Sequence, residues 1–193
     1  MVARSYGPAD RGVSRVHKLA RQSTDPPAPI RHSLRPRLVA LATSTADVVQ
    51  VAGGWLCDQV LAGWDVTVVT ADHADQRSLR ILGVRGHDLE SALAAPVQGA
   101  CLQAIAVQSE LYAADERVRR MVGTVAEAGL TEIRLWGGAW PAGFEDGADL
   151  VSHRLSAAAR AFKAQALAAA AAAAGPADTE EFRRAALRRP ALV

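Results

Sequence analysis

The residues best suited to chemistry fall in three short polar stretches. The first, Thr70-Ala71-Asp72-His73-Ala74-Asp75, puts a histidine and two carboxylates within four positions, the donor types of a divalent-metal site or of general acid–base work. Three ligands from one short loop need a further donor from elsewhere in the chain, and Asp75 equally suits a helix cap, so no metal is expected. The second is Thr43-Ser44-Thr45 with Asp47 close behind. Hydroxyls at the head of a helix can hold an anion together with free backbone N–H groups, yet the same residues cap helices for structural reasons alone, and Asp47 would repel an anion. The third is Gln108-Ser109-Glu110.

Several chemistries are excluded by what the chain lacks. No GxGxxG follows the first apolar run and no GxxxxGK[ST] occurs, so neither a dinucleotide fingerprint nor a P-loop is present. No GxSxG frames a serine, and His73, His87 and His153 are scattered. Cys57 and Cys101 form no CxxC pair and sit in apolar runs, where a free cysteine packs as a small hydrophobe. Trp136 and Trp140 flank Gly137-Gly138, and two large rings beside permissive backbone suit either core packing or a pocket wall.

These stretches acquire meaning from the elements that hold them. Leu38 to Ala42 is an unbroken apolar run, the pattern of a strand buried on both faces. Ser44 or Thr45 then caps a helix in which Val48, Val51, Ala52, Trp55, Leu56 and Val60 recur at helical spacing until Gly63. Gly53-Gly54 inside that helix lets it approach the sheet closely. A second strand, Asp65 to Thr70, completes a strand-helix-strand unit, which makes the sheet parallel. Short helices are expected over Asp75–Leu82, closed by Gly83, and over Asp88–Ala95, stopped by Pro96. Cys101–Val107 is a third strand, Ser109 opens a helix ended by Gly129, and Thr131–Trp136 is a fourth strand. A long final helix runs from Leu150 or Val151 through polyalanine to Gly175-Pro176.

The alternation predicts an α/β fold, a three-layer Rossmann-like, doubly wound sandwich with about four parallel strands and a long C-terminal helix. The preferred strand order is 2-1-3-4, with 3-2-1-4 open. Ligands collect beyond the carboxyl ends of parallel strands where the order reverses, which brings Thr43, Ser44, Thr45 and Asp47 toward Gln108, Ser109 and Glu110. The order 3-2-1-4 would substitute Gly137, Gly138 and Trp140 for the last group. The candidate ligand-binding residues are therefore Ser44, Thr45, Asp47, Asp72, His73, Ser109 and Glu110. In outline, RLVALATST and AGWDVTVVT resemble the opening strand-helix-strand of the zinc-dependent LmbE-like deacetylases. That family's histidine-aspartate-aspartate loop after the first strand is absent here, and with it the metal chemistry.

Charge divides the chain further. Residues 1–36 carry seven basic and two acidic side chains, whereas residues 37–175 carry eleven basic against fifteen acidic. With Pro26, Pro27, Pro29 and Pro36 opposing regular structure, residues 1–36 are expected to be a basic disordered tail, 37–175 the α/β domain and 176–193 a C-terminal tail. An acidic body opposes close approach to phosphate, so nucleic-acid binding is not expected. Without a signal-like h-region or a membrane-length apolar run, a cytoplasmic protein is expected. The leading expectation is a non-catalytic bacterial module binding a small molecule or a protein partner. The alternative is a small hydrolase or transferase using carboxylates and His73 at the strand ends. No cofactor is assigned, and the alanine face of the last helix suits a second copy of the chain.

Overall fold

In the computed structural model, the residues described are 35–72, 76–94, 102–127, 132–141, 144, 149–172, 175 and 177–185. They form seven strands in one sheet. β1 (Arg37–Ala42), β2 (Asp65–Thr70), β3 (Arg85–Asp88), β4 (Leu102–Gln108) and β5 (Glu132–Trp136) are mutually parallel. β6 (Leu150–Arg154) and β7 (Thr179–Ala185) join them antiparallel, and the order is β3-β2-β1-β4-β5-β7-β6. The four strands expected from the sequence thus lie in the order 2-1-3-4, with β1 and β4 adjacent at the point where the order reverses.

Period-two alternation sends each strand's side chains into two cores. Leu38, Ala40, Val68 and Ala106 face α1 (Thr45–Leu61), α2 (Arg77–Ile81) and α6 (Ala157–Ala169). Leu41, Val69, Ile105, Val107 and Ile133 face α3 (Leu89–Ala94), α4 (Ser109–Ala114) and α5 (Glu116–Glu127). Helices cover both faces, as the Rossmann-like expectation required.

The sheet is larger than the four strands expected. β3 is short and mostly polar, so its sequence carries no apolar run to mark it. Leu150–Arg154, expected to begin the last helix, is β6. Helix α6 starts only after Ser156, whose hydroxyl accepts the Ala159 N–H at 3.0 Å as an N-cap. α6 therefore spans 13 residues rather than the long run expected. The stretch after Gly175, expected to be a tail, contains β7, whose Phe182 packs on Trp55 with ring centroids 4.8 Å apart. The helix expected from Ser109 is two helices. Asp115 interrupts them in an extended conformation and caps α5 by accepting the Arg117 N–H at 2.8 Å.

The glycine pair in α1 serves a different neighbour from the one expected. A Cβ on Gly54 would collide with the side chain of Leu155, just ahead of α6. Beside it, the Glu180 carboxylate of β7 accepts the Gly54 and Trp55 N–H groups at 2.9 and 2.7 Å. Glu180 also takes Lys163 of α6 at 2.6 Å, so one buried carboxylate ties β7 to both α1 and α6. The alanine face of α6, including Ala159 and Ala166, is buried in the core it shares with α1. Among the described residues no helix is long and apolar enough to cross a membrane.

Candidate functional site

The carboxyl ends of β1, β2, β4 and β5 open on the same side of the sheet, and the polar stretches meet there in two groups. The first surrounds the head of α1. The loops after β1 and β2 are joined by two backbone bonds, Ala71 N–H to Ala42 O at 3.3 Å and Asp72 N–H to Thr43 O at 3.2 Å. That pairing carries the Asp72 carboxylate onto the helix, where both oxygens lie 3.1 Å from the Thr45 nitrogen. The Thr45 hydroxyl donates to the same carboxylate at 3.1 Å. Ser44 caps the helix by accepting the Asp47 N–H at 3.1 Å. Thr43 reaches the other way, its N–H and hydroxyl meeting Gln108 Oε1 at 2.8 and 2.9 Å and its hydroxyl meeting Asp47 at 3.2 Å.

This arrangement decides how the head of α1 is used. The N–H groups of Thr45 and Asp47, which an anion would need, already donate to Asp72 and Ser44. A carboxylate at a helix N-terminus is a favourable partner for the dipole. Of the two candidate caps, Ser44 is the one used, while Thr45 opens the helix and donates to Asp72.

The second group lies between β4 and β5. Glu110 Oε1 accepts the Gly138 N–H at 2.6 Å, and a Cβ on Gly137 would strike the same carboxylate. Gly137 also has φ +98°, a left-handed conformation that only glycine adopts freely. Beside this contact is a cavity of about 170 Å³ walled by Ser109, Trp136, Gly137, Gly138 and Trp140, with β7 closing its far side. Trp136 is 4% exposed and Ser109 5%. Neither the Trp136 nor the Trp140 indole nitrogen finds a hydrogen-bond acceptor among the described residues.

Of the residues singled out in the sequence, Ser44, Thr45, Asp47 and Asp72 form the first group, and Ser109 and Glu110 belong to the second. His73 lies outside the described residues. Gly137 and Gly138, which the sequence tied with Trp140 to the other strand order, stand beside Glu110 in this one because β4 and β5 are neighbours. The cavity's third wall was not legible, since it comes from a stretch expected to be a tail. His153 belongs elsewhere: its Nε2 is 2.9 Å from Asp58 in the last turn of α1, roughly 20 Å along that helix from Thr45 at 1.5 Å per residue. Burial pushes the Asp58 carboxyl up, but hydrogen bonds from Ser156 and His153 outweigh it and leave the group below its ordinary value.

No protein-family model and no curated protein matches the sequence. Solved structures do match the fold. A deacetylase of the teicoplanin biosynthetic pathway, a triple mutant, aligns over 79% of this chain and 98% of its own, with 14% identity and a TM-score of 0.59. The A40926 pseudoaglycone deacetylase Dbv21 aligns over 81% and 99%, with 15% identity and a TM-score of 0.57. At such identity the likeness is one of fold: a Rossmann-like α/β architecture with a seven-stranded, mostly parallel mixed sheet, resembling the LmbE deacetylase fold.

Proposed function

We propose that the chain is a small hydrolase that cleaves an acyl group, held as an amide or ester, at the carboxyl ends of β4 and β5, with Glu110 as general base. The observation that carries this is the exposed Glu110 carboxylate, which accepts the Gly138 N–H at 2.6 Å where Gly137 and Gly138 line the cavity. A positioned carboxylate next to a space for the reacting carbonyl is the arrangement that base-assisted attack by water requires. Glu110 takes a proton from water as the water oxygen bonds to the acyl carbon and the carbonyl electron pair moves onto oxygen. Collapse of that intermediate expels the amine or alcohol, which leaves with the proton Glu110 held. The likeness in fold to proteins named deacetylases supports this over the binding module that the sequence put first.

Zinc, which the LmbE resemblance implies, does not fit the residues described. Thr43, Ser44 and Thr45 follow β1, and both oxygens of Asp72 are engaged by Thr45. No cluster of three His, Cys, Asp or Glu side chains able to hold a metal occurs among the described residues. No step of the proposed reaction therefore runs through a metal.

A binding module without turnover is the second reading, favoured by the engagement of the Asp72 and Asp47 carboxylates with Thr45 and Thr43 rather than with a reacting group. The deciding experiment incubates the full chain with a panel of N-acyl amines, acylated sugars and acyl esters. Hydrolysis above the buffer rate, reduced about 100-fold or more by Glu110→Gln, is the expected result. Absence of turnover across the panel, or full activity in Glu110→Gln, would transfer the assignment to the binding module.

A further inference from the structure

Three polar side chains that line the cavity between β5 and β7 have no hydrogen-bond or ion-pair partner among the described residues: the Ser109 hydroxyl, the Glu181 carboxylate and the Arg183 guanidinium. Ser109 is 5% exposed, and its Oγ is not sealed off as the two indole nitrogens are. A buried hydroxyl left unpaired carries a desolvation cost, so it calls for a partner that enters from the cavity. Glu181 and Arg183 stand two residues apart on one face of β7, about 6.6 Å at the rise of a strand. They form no ion pair with each other, and Arg183 lies instead 5.7 Å from the centre of the Trp140 ring. From this we infer that the cavity binds the zwitterionic head of a small α-amino acid, its carboxylate on Arg183 and its ammonium between Glu181 and Ser109. Such binding needs no cleavage, so it goes beyond the hydrolase reading.

Strand register places the ligand's charges. β7 runs antiparallel to β5 with Leu135 opposite Arg183, so Glu181 lies farther toward the carboxyl end of β5. That is also the end at which Ser109 follows the parallel strand β4. Glu110, accepting the Gly138 N–H, adds a second carboxylate there. One end of the cavity is therefore acidic with a free hydroxyl, and the other carries a guanidinium. This is the polarity of a molecule with an ammonium and a carboxylate on one carbon. A cation is attracted to an aromatic face, which holds Arg183 at Trp140 and leaves its N–H fork for a bidentate carboxylate. An anion alone would meet the two carboxylates, and a cation alone would meet the guanidinium. Gly137 and Gly138 have no side chains to fill the space. A cavity of about 150 Å³ accommodates one benzene ring, and this one has about 170 Å³. That is room for a short branched side chain against Leu135 and Leu150.

The test is equilibrium dialysis of the full chain against radiolabelled L-valine, with two competitors of matching shape: isobutylamine, which lacks the carboxylate, and isovalerate, which lacks the ammonium. Saturable retention of valine is expected, and each competitor should bind about tenfold or more weakly than valine, the effect of losing one charge-assisted contact. Arg183→Gln should weaken valine by a similar factor and abolish its advantage over isobutylamine. Glu181→Gln should narrow its advantage over isovalerate, and Ser109→Ala should weaken valine about fivefold. Arg183 and Glu181 are exposed, so their substitutions leave the fold intact. The inference is overturned if valine is not retained, if either competitor binds as tightly as valine, or if Arg183→Gln retains valine unchanged. Binding is read without turnover. Valine retention with no hydrolysis across the acyl panel would leave the site standing and remove the hydrolase reading, and hydrolysis dependent on Glu110 without valine retention would do the reverse.

Discussion

Lys163 Nζ lies 2.6 Å from Glu180 Oε1, with the two side chains 1% and 2% exposed. Glu180 has further partners in the Gly54 and Trp55 N–H groups, so its charge is compensated on several sides. Removing one member leaves the other charged in the core, which costs about 3–5 kcal/mol, whereas replacing both is far milder. Lys163→Met is therefore expected to lower unfolding free energy by about that amount, and Lys163→Met with Glu180→Gln to restore most of it. Urea unfolding of the two variants reads this directly. A single substitution costing under about 1 kcal/mol would show that the pair is not what fixes β7.

Asp72 supplies a contrast, because its carboxylate caps α1 through Thr45 rather than facing the cavity. Asp72→Ala should cost about 0.5–2 kcal/mol of stability, the range for losing a cap. Turnover of any acyl substrate should persist once the variant is measured well below its melting temperature. Loss of activity at unchanged stability would make Asp72 part of the chemistry.

Cys57, on the buried face of α1, is 2% exposed. Burial pushes its thiol up to about 11, and the nearby Asp58 and Glu180 carboxylates push in the same direction. At pH 8 almost none of it is thiolate, the reactive form. A disulfide reagent applied to the folded chain should leave the Cys57 peptide unmodified by mass spectrometry and label it after unfolding in urea. Labelling of native protein within minutes would contradict this burial.

Acid sensitivity should concentrate at the break between α4 and α5. A hydrogen bond from Arg117 lowers the Asp115 carboxyl from 3.8 to about 2, and Arg117 also pairs with Glu90 of α3 at 2.7 Å. A carboxyl lowered by folding contributes stability above its unfolded value, and that contribution disappears as pH falls through the folded one. The melting temperature of the native chain should therefore drop between about pH 4 and pH 2 from this group. Arg117→Met should flatten the drop, with a smaller difference between the two proteins at the acid end than at neutral pH.

How much of this was legible in the sequence depended on whether local pattern or distant pairing decided the structure. β1 and β4 are largely apolar runs, β2 and β5 alternate at strand period, and α1 carries its own cap in Ser44 and its own stop in Gly63, at φ +90°. Such elements announce themselves. β6 did not, because Leu150, Val151 and Leu155 can be read at helical spacing, and only pairing with β7 extends them. β7 did not either: TEEFRRA has one large apolar residue, and its place is fixed by Phe182 on Trp55 and by Glu180 on α1. For the site, Glu110 was visible as a strand-end carboxylate. Its partner Gly138 came only with the adjacency of β4 and β5, and the cavity came only with β7.

The position of β7 sets the sequence of events during synthesis. β6 leaves the ribosome some twenty-five residues before β7 yet bonds to nothing in the sheet except β7. Until Thr179–Ala185 emerges, β5 is an open edge, β6 an unpaired segment, and the last wall of the cavity is missing. An exposed edge of this kind invites pairing with other chains. A nascent polypeptide is therefore most prone to aggregate in the interval before β7 threads between two strands that were made earlier.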